Sequence, residues 1–259
     1  MKPTIDRPAV MQEDPWARED AQAKRTAKIG LVIPSPQTVT EPLFYRMAPP
    51  DVSFFTSRML LTGTFLSHLR AMELEFDRAV DELVSAGVDC LMKCCTLGGA
   101  MNDPGAEVRA CEETEKRTGI PTGSTVLAVV ESLRLLGVSR LVVVTPYGGE
   151  LNRVEEDFLK KSGFQIVRIA GMGIGDGREF ASVSPENIYQ FALQNWDSCA
   201  DGLFMSCMNW WALSVAERLE QAVKFPVVTS HSATLWKALE LAKARVPIKA
   251  YGRLLCSAI

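Results

Sequence analysis

The amino-acid sequence predicts an α/β fold made of two similar lobes, each a parallel sheet covered by helices. Three observations carry this reading. Short apolar runs alternate with amphipathic stretches from Lys28 onward, the pattern of βαβ units with right-handed crossovers. Gly87, Gly137 and Gly163 stand where amphipathic stretches stop, the usual place for a left-handed C-terminal cap. Two strand-like segments of the first half recur in the second half at one constant offset of 112 positions.

The elements follow in order. The stretch from Met1 to Ala27 is polar, with Glu13, Asp14, Arg18, Glu19 and Asp20 close together, and reads as a loosely held tail. Lys28 to Ile33 is a short apolar run closed by Pro34, which suits a buried parallel strand. Val52 to Phe55 is a second strand. Thr64 to Ala86 places Leu66, Leu69, Phe76, Val80 and Leu83 on one helical stripe. Val88 to Met92 returns as a strand, and Pro104–Arg117 and Ser124–Leu136 read as helices. The second half repeats the plan, with strands at Leu141–Thr145, Phe164–Ala170, Leu203–Ser206 and Val227–Thr229. Helices are expected at Glu150–Lys161, Pro185–Gln194, Trp210–Ala222 and Ser232–Ala242.

The repeat narrows the search for a site. A shift of 112 lays Lys28-Ile-Gly-Leu-Val-Ile-Pro34 over Arg140-Leu-Val-Val-Val-Thr-Pro146, and Asp89-Cys-Leu-Met-Lys-Cys-Cys95 over Asp201-Gly-Leu-Phe-Met-Ser-Cys207. Ligands of open parallel sheets bind beyond the carboxyl ends of the strands. Two lobes facing each other there would set Cys95 and Cys207 on opposite walls of one cleft.

Composition excludes several classes of function. A net charge of -3 lacks the dense basic surface that nucleic acid requires. No apolar run reaches the ~18–20 residues of a membrane span, and no signal-peptide core opens the chain, so a cytoplasmic protein is expected. Seven cysteines then read as free thiols. They form no Cys-x-x-Cys pattern, and His68 and His231 stand far apart, so no metal site is expected. Cys90, Cys111, Cys199 and Cys256 read as structural.

A thiol with a pKa of ~8.5 is within reach of neutral pH, and a helix N-terminus lowers it further. Cys207 precedes the helix expected at Trp210, and Cys95 enters a Thr-Leu-Gly-Gly turn rich in backbone donors. Thiols on opposite faces of one carbon can remove and return a proton, or one can attack while the other manages the proton. Around them stand neutral donors suited to a carboxylate: Ser35, Gln37, Thr38, Thr145, Tyr147, Thr96, Asn209 and the run Ser230-His231-Ser232. Singly, most of these serve as caps and turns. Tyr147, just past a strand and beside two glycines, has little core to pack into. The glycine-rich run Gly171–Gly177 lacks dinucleotide-loop spacing and reads as a plain connection. Trp210 and Trp211 read as packing residues, one of them a possible pocket wall.

At these residues the sequence closely resembles the aspartate/glutamate racemase superfamily, in its maleate cis-trans isomerase and arylmalonate decarboxylase branch. The resemblance rests on Ile29-Gly-Leu-Val-Ile-Pro-Ser35 with Thr38 and Glu41, on Phe55-Thr-Ser-Arg-Met59, and on Ala86-Gly-Val-Asp89 before the first cysteine. It continues through Thr145-Pro-Tyr147, Leu151-Asn152, Val167–Gly173, Met205-Ser-Cys-Met-Asn209, Pro226–Ser230 and Ala233–Trp236.

The resemblance implies two pseudo-symmetric Rossmann-like lobes with the active site in the cleft between them. The expected division is residues 28–122 plus 228–259 for the first lobe and 123–227 for the second, after the polar tail of residues 1–27. It implies a cofactor-independent isomerase of the maleate cis-trans type acting on a small (di)carboxylic acid, and a homodimer, the common assembly among relatives. Cys95 would be the nucleophile that adds to the double bond, and Cys207 the general acid/base. The substrate would lie among Pro34, Ser35, Gln37, Cys94, Thr96, Thr145, Tyr147, Ser206, Met208 and Asn209. Arylmalonate decarboxylases keep only the second cysteine, so a decarboxylase or a racemase is the alternative. Gln37 stands where maleate isomerases usually place a carboxylate-binding asparagine, and Gly177 where they often show another. Met205, Met208 and the two tryptophans point to room for a bulkier substituent.

Overall fold

A computed structural model describes residues 27–256; the polar stretch before Ala27 lies outside the described residues. The chain forms two four-stranded sheets, each parallel throughout. The first has the order β2-β1-β3-β4, from β1 (Ala27–Pro34), β2 (Val52–Met59), β3 (Cys90–Lys93) and β4 (Thr122–Ser124). The second has the order β6-β5-β7-β8, from β5 (Arg140–Thr145), β6 (Gln165–Gly171), β7 (Gly202–Met205) and β8 (Val227–Thr229). The central strands are apolar on both faces because helices cover both: Ile29, Leu31 and Ile33 of β1 and Leu141 to Val144 of β5 are fully buried.

The duplication extends to the hydrogen-bond register. Lys28 pairs with Ser53 and Ile29 with Cys90; in the second sheet Arg140 pairs with Gln165 and Leu141 with Gly202. Each pair is the other displaced by 112. The same shift relates two carboxylates. Asp89 accepts the Lys28 N–H and Asp201 the Arg140 N–H, both at 2.7 Å. Each acid ties the entry of a central strand to the strand that carries a cysteine at its far end. The equivalence breaks at both edges: a register shift at Leu141/Val142 interrupts the β5–β6 ladder, and Leu91 pairs with Thr122 whereas Leu203 pairs with Val227, an offset other than 112.

The helices are α1 (Thr40–Met47), α2 (Leu66–Glu73), α3 (Phe76–Ser85), α4 (Thr96–Ala100), α5 (Pro104–Thr118) and α6 (Thr125–Leu135) in the first half. They continue as α7 (Gly149–Lys161), α8 (Pro185–Asn195), α9 (Ala216–Val223), α10 (Ser230–Leu241) and α11 (Arg253–Cys256). Capping explains several starts. Asp103, Ser124 and Ser184 each accept a first-turn N–H, and Thr229 with Ser232 forms a reciprocal capping box for α10. α5 stops at Gly119, whose φ of 73° is open to glycine at no steric cost. α10 is the keystone. It packs on α6, on β3 and β4 of the first sheet and on β8 of the second, and Thr234 meets the Thr125 hydroxyl at 2.7 Å.

Four differences from the sequence reading matter for the site. α1 follows β1 although its short stripe of Leu43, Phe44 and Met47 spans only two turns. The helix expected over residues 64–86 divides into α2 and α3. Leu74, 87% exposed, sits at the break, so α2 buries Leu69 and Met72 while α3 buries Ala79, Val80 and Leu83. A short helix, α4, opens directly after Cys95. The helix expected from Trp210 is instead a 3-10 turn at Trp211–Val215, with α9 beginning only at Ala216.

Candidate active site

On the first wall, β3 ends at Lys93 and Cys94 N–H still donates to the Val32 carbonyl at 2.8 Å. Neighbouring side chains of extended backbone point to opposite sides. Cys94 therefore turns its sulfur into the core, toward the Met92 carbonyl at 3.4 Å, and is fully buried. Cys95 turns its sulfur to the cleft. With φ -140° and ψ 107° it is the N-cap of α4, and its Sγ accepts the Gly98 N–H at 3.3 Å.

On the second wall, Ser206 N–H donates to the Val144 carbonyl at 2.9 Å, the counterpart of the Cys94 bond. Cys207 then adopts φ 137°, a region that costs a side-chain-bearing residue about 1–3 kcal/mol. Neighbouring groups hold it there. Its N–H donates to Ser230 Oγ at 3.0 Å, and its Sγ accepts the Asn209 N–H at 3.3 Å. Because no α-helix begins until Ala216, Cys207 does not cap one, and the helix-lowered thiol expected there is corrected. Burial instead pushes both thiols up to about 12. Glu73 adds to the rise at Cys95, against the Gly98 N–H and Lys93. At Cys207 the Tyr147 hydroxyl and the Asn209 N–H work against burial. Burial therefore keeps both cysteines as neutral thiols near neutral pH.

Cys95 and Cys207 line one cavity of about 60 Å3, shared with Tyr147, Thr96, Gln37 and Asn209. Thr145 positions the tyrosine. Its hydroxyl donates to Asn152 Oδ1 at 2.6 Å and accepts the Tyr147 N–H at 3.0 Å. Tyr147 is buried, contrary to the sequence reading, and packs edge-on against Phe180. Burial holds its phenol well above the usual range, and the Cys207 sulfur beside it adds to the rise. The Thr96 hydroxyl lies 2.9 Å from Ser230 Oγ, which already accepts the Cys207 N–H. With Ser230 as the donor of that pair, the Thr96 proton is left for a ligand.

The two amides are engaged. Gln37 donates to the Cys94 carbonyl at 2.7 Å and accepts from the Thr40 hydroxyl at 2.9 Å. Asn209 accepts the Thr38 N–H at 2.9 Å and donates to the carbonyls of Gly177, at 2.9 Å, and Pro36, at 3.3 Å. Both brace loops at the cleft. Arg58 does the same from β2, donating to the carbonyls of Ser35 and Gln37 and pairing with Glu41.

Of the residues expected to meet substrate, Pro34, Gln37, Thr96, Tyr147, Met208 and Asn209 line the cavity with the two cysteines. Ser35, Cys94, Thr145 and Ser206 do not. Ser35 Oγ accepts the Leu61 N–H, Thr145 is spent on Tyr147 and Asn152, and Cys94 and Ser206 alternate away from the cysteines that follow them. Met205, Trp210 and Trp211 are also outside; Trp210 is core and Trp211 donates to the Ala181 carbonyl. His231 is fully buried 3.3 Å from Thr40 Oγ1, and burial lowers it to about 3, so it is a neutral strut. Of the cysteines expected to be structural, Cys90 is buried and Cys111 partly so, whereas Cys199 and Cys256 are exposed.

Sequence reasoning missed the apolar lining. Leu61 and Leu69, Leu97 and Leu151, and Phe180 carry no chemical signature and reach the cavity from five separate segments. The loop from Gly171, read from its spacing as a plain connection, also reaches the site: Gly177, which the resemblance singled out, lines the cavity. Gly173 to Arg178 form one side of a vestibule of about 800 Å3 that shares Leu61, Thr64, Leu151 and Gly177 with the inner cavity. The vestibule carries Arg178, whereas no Lys or Arg side chain lines the inner cavity. Among the described residues no three His, Cys, Asp or Glu cluster as metal ligands, and no helix is long and apolar enough to cross a membrane.

Comparison with known proteins follows the same lines. A maleate isomerase from Nocardia farcinica is 27% identical over 240 residues, covering 88% of this chain and 95% of its own. An arylmalonate decarboxylase from Bordetella bronchiseptica is 28% identical over 140 residues, 53% of this chain and 58% of its own. The solved structure of a cysteine-to-serine mutant of Nocardia farcinica maleate cis-trans isomerase, with a covalently bound succinylcysteine intermediate, matches with a TM-score of 0.83. It is 26% identical and covers 88% of this chain and 98% of that one. The sequence model of the arylmalonate decarboxylase family matches residues 104–255. With that match over more than half its length, and with this fold, the chain belongs to the arylmalonate decarboxylase family, in the branch of the Asp/Glu racemase-like superfamily that includes the maleate isomerases.

Proposed function

We propose that this protein is a cofactor-independent isomerase of the maleate cis-trans type, acting on a small unsaturated carboxylic acid with Cys95 as nucleophile and Cys207 as general acid/base. The observation that carries the reading is the pair of thiols on opposite walls of one small cavity. The likeness to maleate isomerases over 88% of the chain supports it. The reaction is redox-neutral. The Cys95 S–H bond breaks, its proton passing to a neighbouring base, and Sγ forms a bond to one alkene carbon while the π electrons move toward the conjugated carboxylate. The Cys207 S–H supplies a proton to the adjacent carbon. Rotation about the new single bond brings the substituents to the trans arrangement. The Cys207 thiolate takes the proton back, the C–S bond breaks as the base returns its proton to Cys95, and both thiols are restored.

Tyr147 and Thr96 are the groups proposed to hold the carboxylate, because both are hydroxyl-bearing residues that line the cavity beside the thiols. Donors aimed at the enediolate oxygens would act in a site walled by apolar side chains, where they count for more than in water. Tyr147 has a second task at Cys207, since its hydroxyl stabilises the thiolate formed after proton donation. Decarboxylation of disubstituted malonates is the second reading, favoured by the family match over residues 104–255.

Proton NMR separates them. Maleate, aryl malonates and amino acids are incubated with enzyme in heavy water. Signals of the trans acid that vanish in Cys95→Ala support the isomerase. Decarboxylation that persists in Cys95→Ala replaces it with the decarboxylase. Ligand binding with neither product nor deuterium exchange would leave a binding protein.

A further inference from the structure

Behind Cys95 lies a buried charged cluster that the reaction above does not use. Lys93, at the end of β3, is almost fully buried, with its ammonium 2.6 Å from Glu73 Oε2 and 3.3 Å from Glu107 Oε2. Glu107 also accepts from Asn102 Nδ2 at 2.8 Å. Burial works against the charge of Lys93, and the two carboxylates more than offset it, so the ammonium is held well above its usual range. Glu73 is the last residue of α2, and the break at Leu74 lets its side chain turn inward. Its second oxygen, Oε1, is buried without a hydrogen-bond partner. That oxygen and the Cys95 sulfur converge over Gly98. A Cβ placed on Gly98 would overlap Glu73 Oε1 and stand 3.1 Å from Cys95 Sγ. Only a glycine leaves room for both atoms at that point.

We propose that Glu73 is the proton acceptor for the Cys95 thiol, with Lys93 holding its carboxylate in place. The inference rests on Cys95 being the nucleophile. In the attack the S–H bond breaks, its proton passes to Glu73 Oε1, and the sulfur pair forms the C–S bond; on expulsion the proton returns. A lone thiolate in this buried site would be a new uncompensated charge. Transfer to Glu73 moves an existing negative charge from carboxylate to sulfur, so the cluster of Lys93, Glu107, Glu73 and Cys95 keeps the same net charge. Until the C–S bond forms, the ammonium faces one negative partner at Glu107 and a second at Glu73 or at the Cys95 sulfur; in the adduct the sulfur is a neutral thioether and that charge has passed to the substrate. Burial raises Glu73, and Glu107 adds to the rise against the pull of Lys93, which makes its carboxylate a better match for a thiol proton. The remaining groups facing the cluster are the Cys111 thiol on α5 and the Phe76 ring, 5.5 Å under the ammonium. The second lobe has no such device: at the offset of 112, Met205 stands where Lys93 stands.

The test is alkylation of Cys95 by iodoacetamide between pH 6 and 10, followed peptide by peptide by mass spectrometry, with Cys199 as internal control. In Glu73→Gln the rate at Cys95 is expected to fall about 10²-fold at neutral pH, with its pH profile displaced upward. Glu73→Asp is expected to restore part of it. A merely electrostatic role gives the opposite sign, because removing a negative neighbour favours the thiolate. Unchanged or faster alkylation of Cys95 in Glu73→Gln therefore overturns the proposal. Should that variant fail to fold, Gly98→Ala displaces the carboxylate and must slow Cys95 likewise; an undiminished rate there overturns it equally. Alkylation needs no substrate. Slowed alkylation together with full turnover in Cys95→Ala would sink the isomerase reading and leave the Glu73–Cys95 link standing.

Discussion

The two cysteine walls occupy equivalent ends of a duplicated frame and differ in almost everything else. Cys95 sits in relaxed extended backbone and caps a helix, whereas Cys207 is held at φ 137°. Behind Cys95 stand an ammonium and two carboxylates. Beside Cys207 stand a phenol, a serine and the buried carboxyl of Glu155. Strand register and carboxylate ties repeat, while the groups that manage protons do not. In a duplicated fold the frame sets where two reactive atoms meet, and the side chains one layer behind set what each does there. A sulfur beside charged partners suits attack; one beside neutral donors suits carrying a proton.

Removing either thiol probes this division most severely. Cys95→Ala is expected to lower turnover by about 10⁴-fold or more, with no covalent adduct. Cys207→Ser is expected to lower it by about 10²–10⁴-fold while leaving addition at Cys95 possible. Intact-mass spectra of each variant with substrate check this, and an adduct in Cys95→Ala would reverse the assignment. The next effect belongs to the first wall alone. Lys93→Met leaves Glu73 and Glu107 facing each other without a cation and is expected to cost about 3–5 kcal/mol of stability, read from urea denaturation. A loss under about 1 kcal/mol would show that the cluster is not a coupled unit.

The second wall has its own signature in pH. Burial raises Glu155 from 4.5 to about 8, so across that interval the folded chain keeps a proton the unfolded chain has released. Stability from this group falls as pH rises through the interval, and Glu155→Gln is expected to flatten the decline of the thermal midpoint. His231 acts in the other direction. Lowered from 6.5 to about 3, it costs stability as pH falls through that window, and Glu155→Gln leaves this arm unchanged. The smallest effect tests backbone strain. Cys207→Gly is expected to be more stable than Cys207→Ala by about 1 kcal/mol, while at residue 95, in ordinary extended backbone, glycine is expected to be the less stable replacement.

The fold was legible because its signals are local and repeated: apolar runs of strand length, glycine stops and one constant offset. Breaks that depend on tertiary packing were not. Nothing in Leu74 says that α2 must stop so that one helix serves the cleft and the next the sheet. The 3-10 turn after Trp210 hides inside a stripe that α9 continues. At the site, the cysteines stand at strand ends, where the offset alone finds them. Ser35, Cys94, Thr145 and Ser206 are strand-end residues too, but alternation or a neighbouring partner turns each away from the cavity. The apolar walls come from separate segments, Leu69 on α2, Leu97 on α4, Leu151 on α7 and Leu61 in a loop, and nothing local in those segments says that they converge. Glu73 was invisible because its link to Cys95 runs through space over Gly98.

A single oxygen, Ser230 Oγ, contacts both Thr96 Oγ1 and the Cys207 N–H. It sits on neither sulfur-bearing loop but on the helix that clamps the sheets together. The hydroxyl therefore works as a gauge block that sets the width between the jaws independently of either jaw. Adapting this scaffold to a wider or narrower acid is then a matter of residue 230 before it is a matter of the thiols.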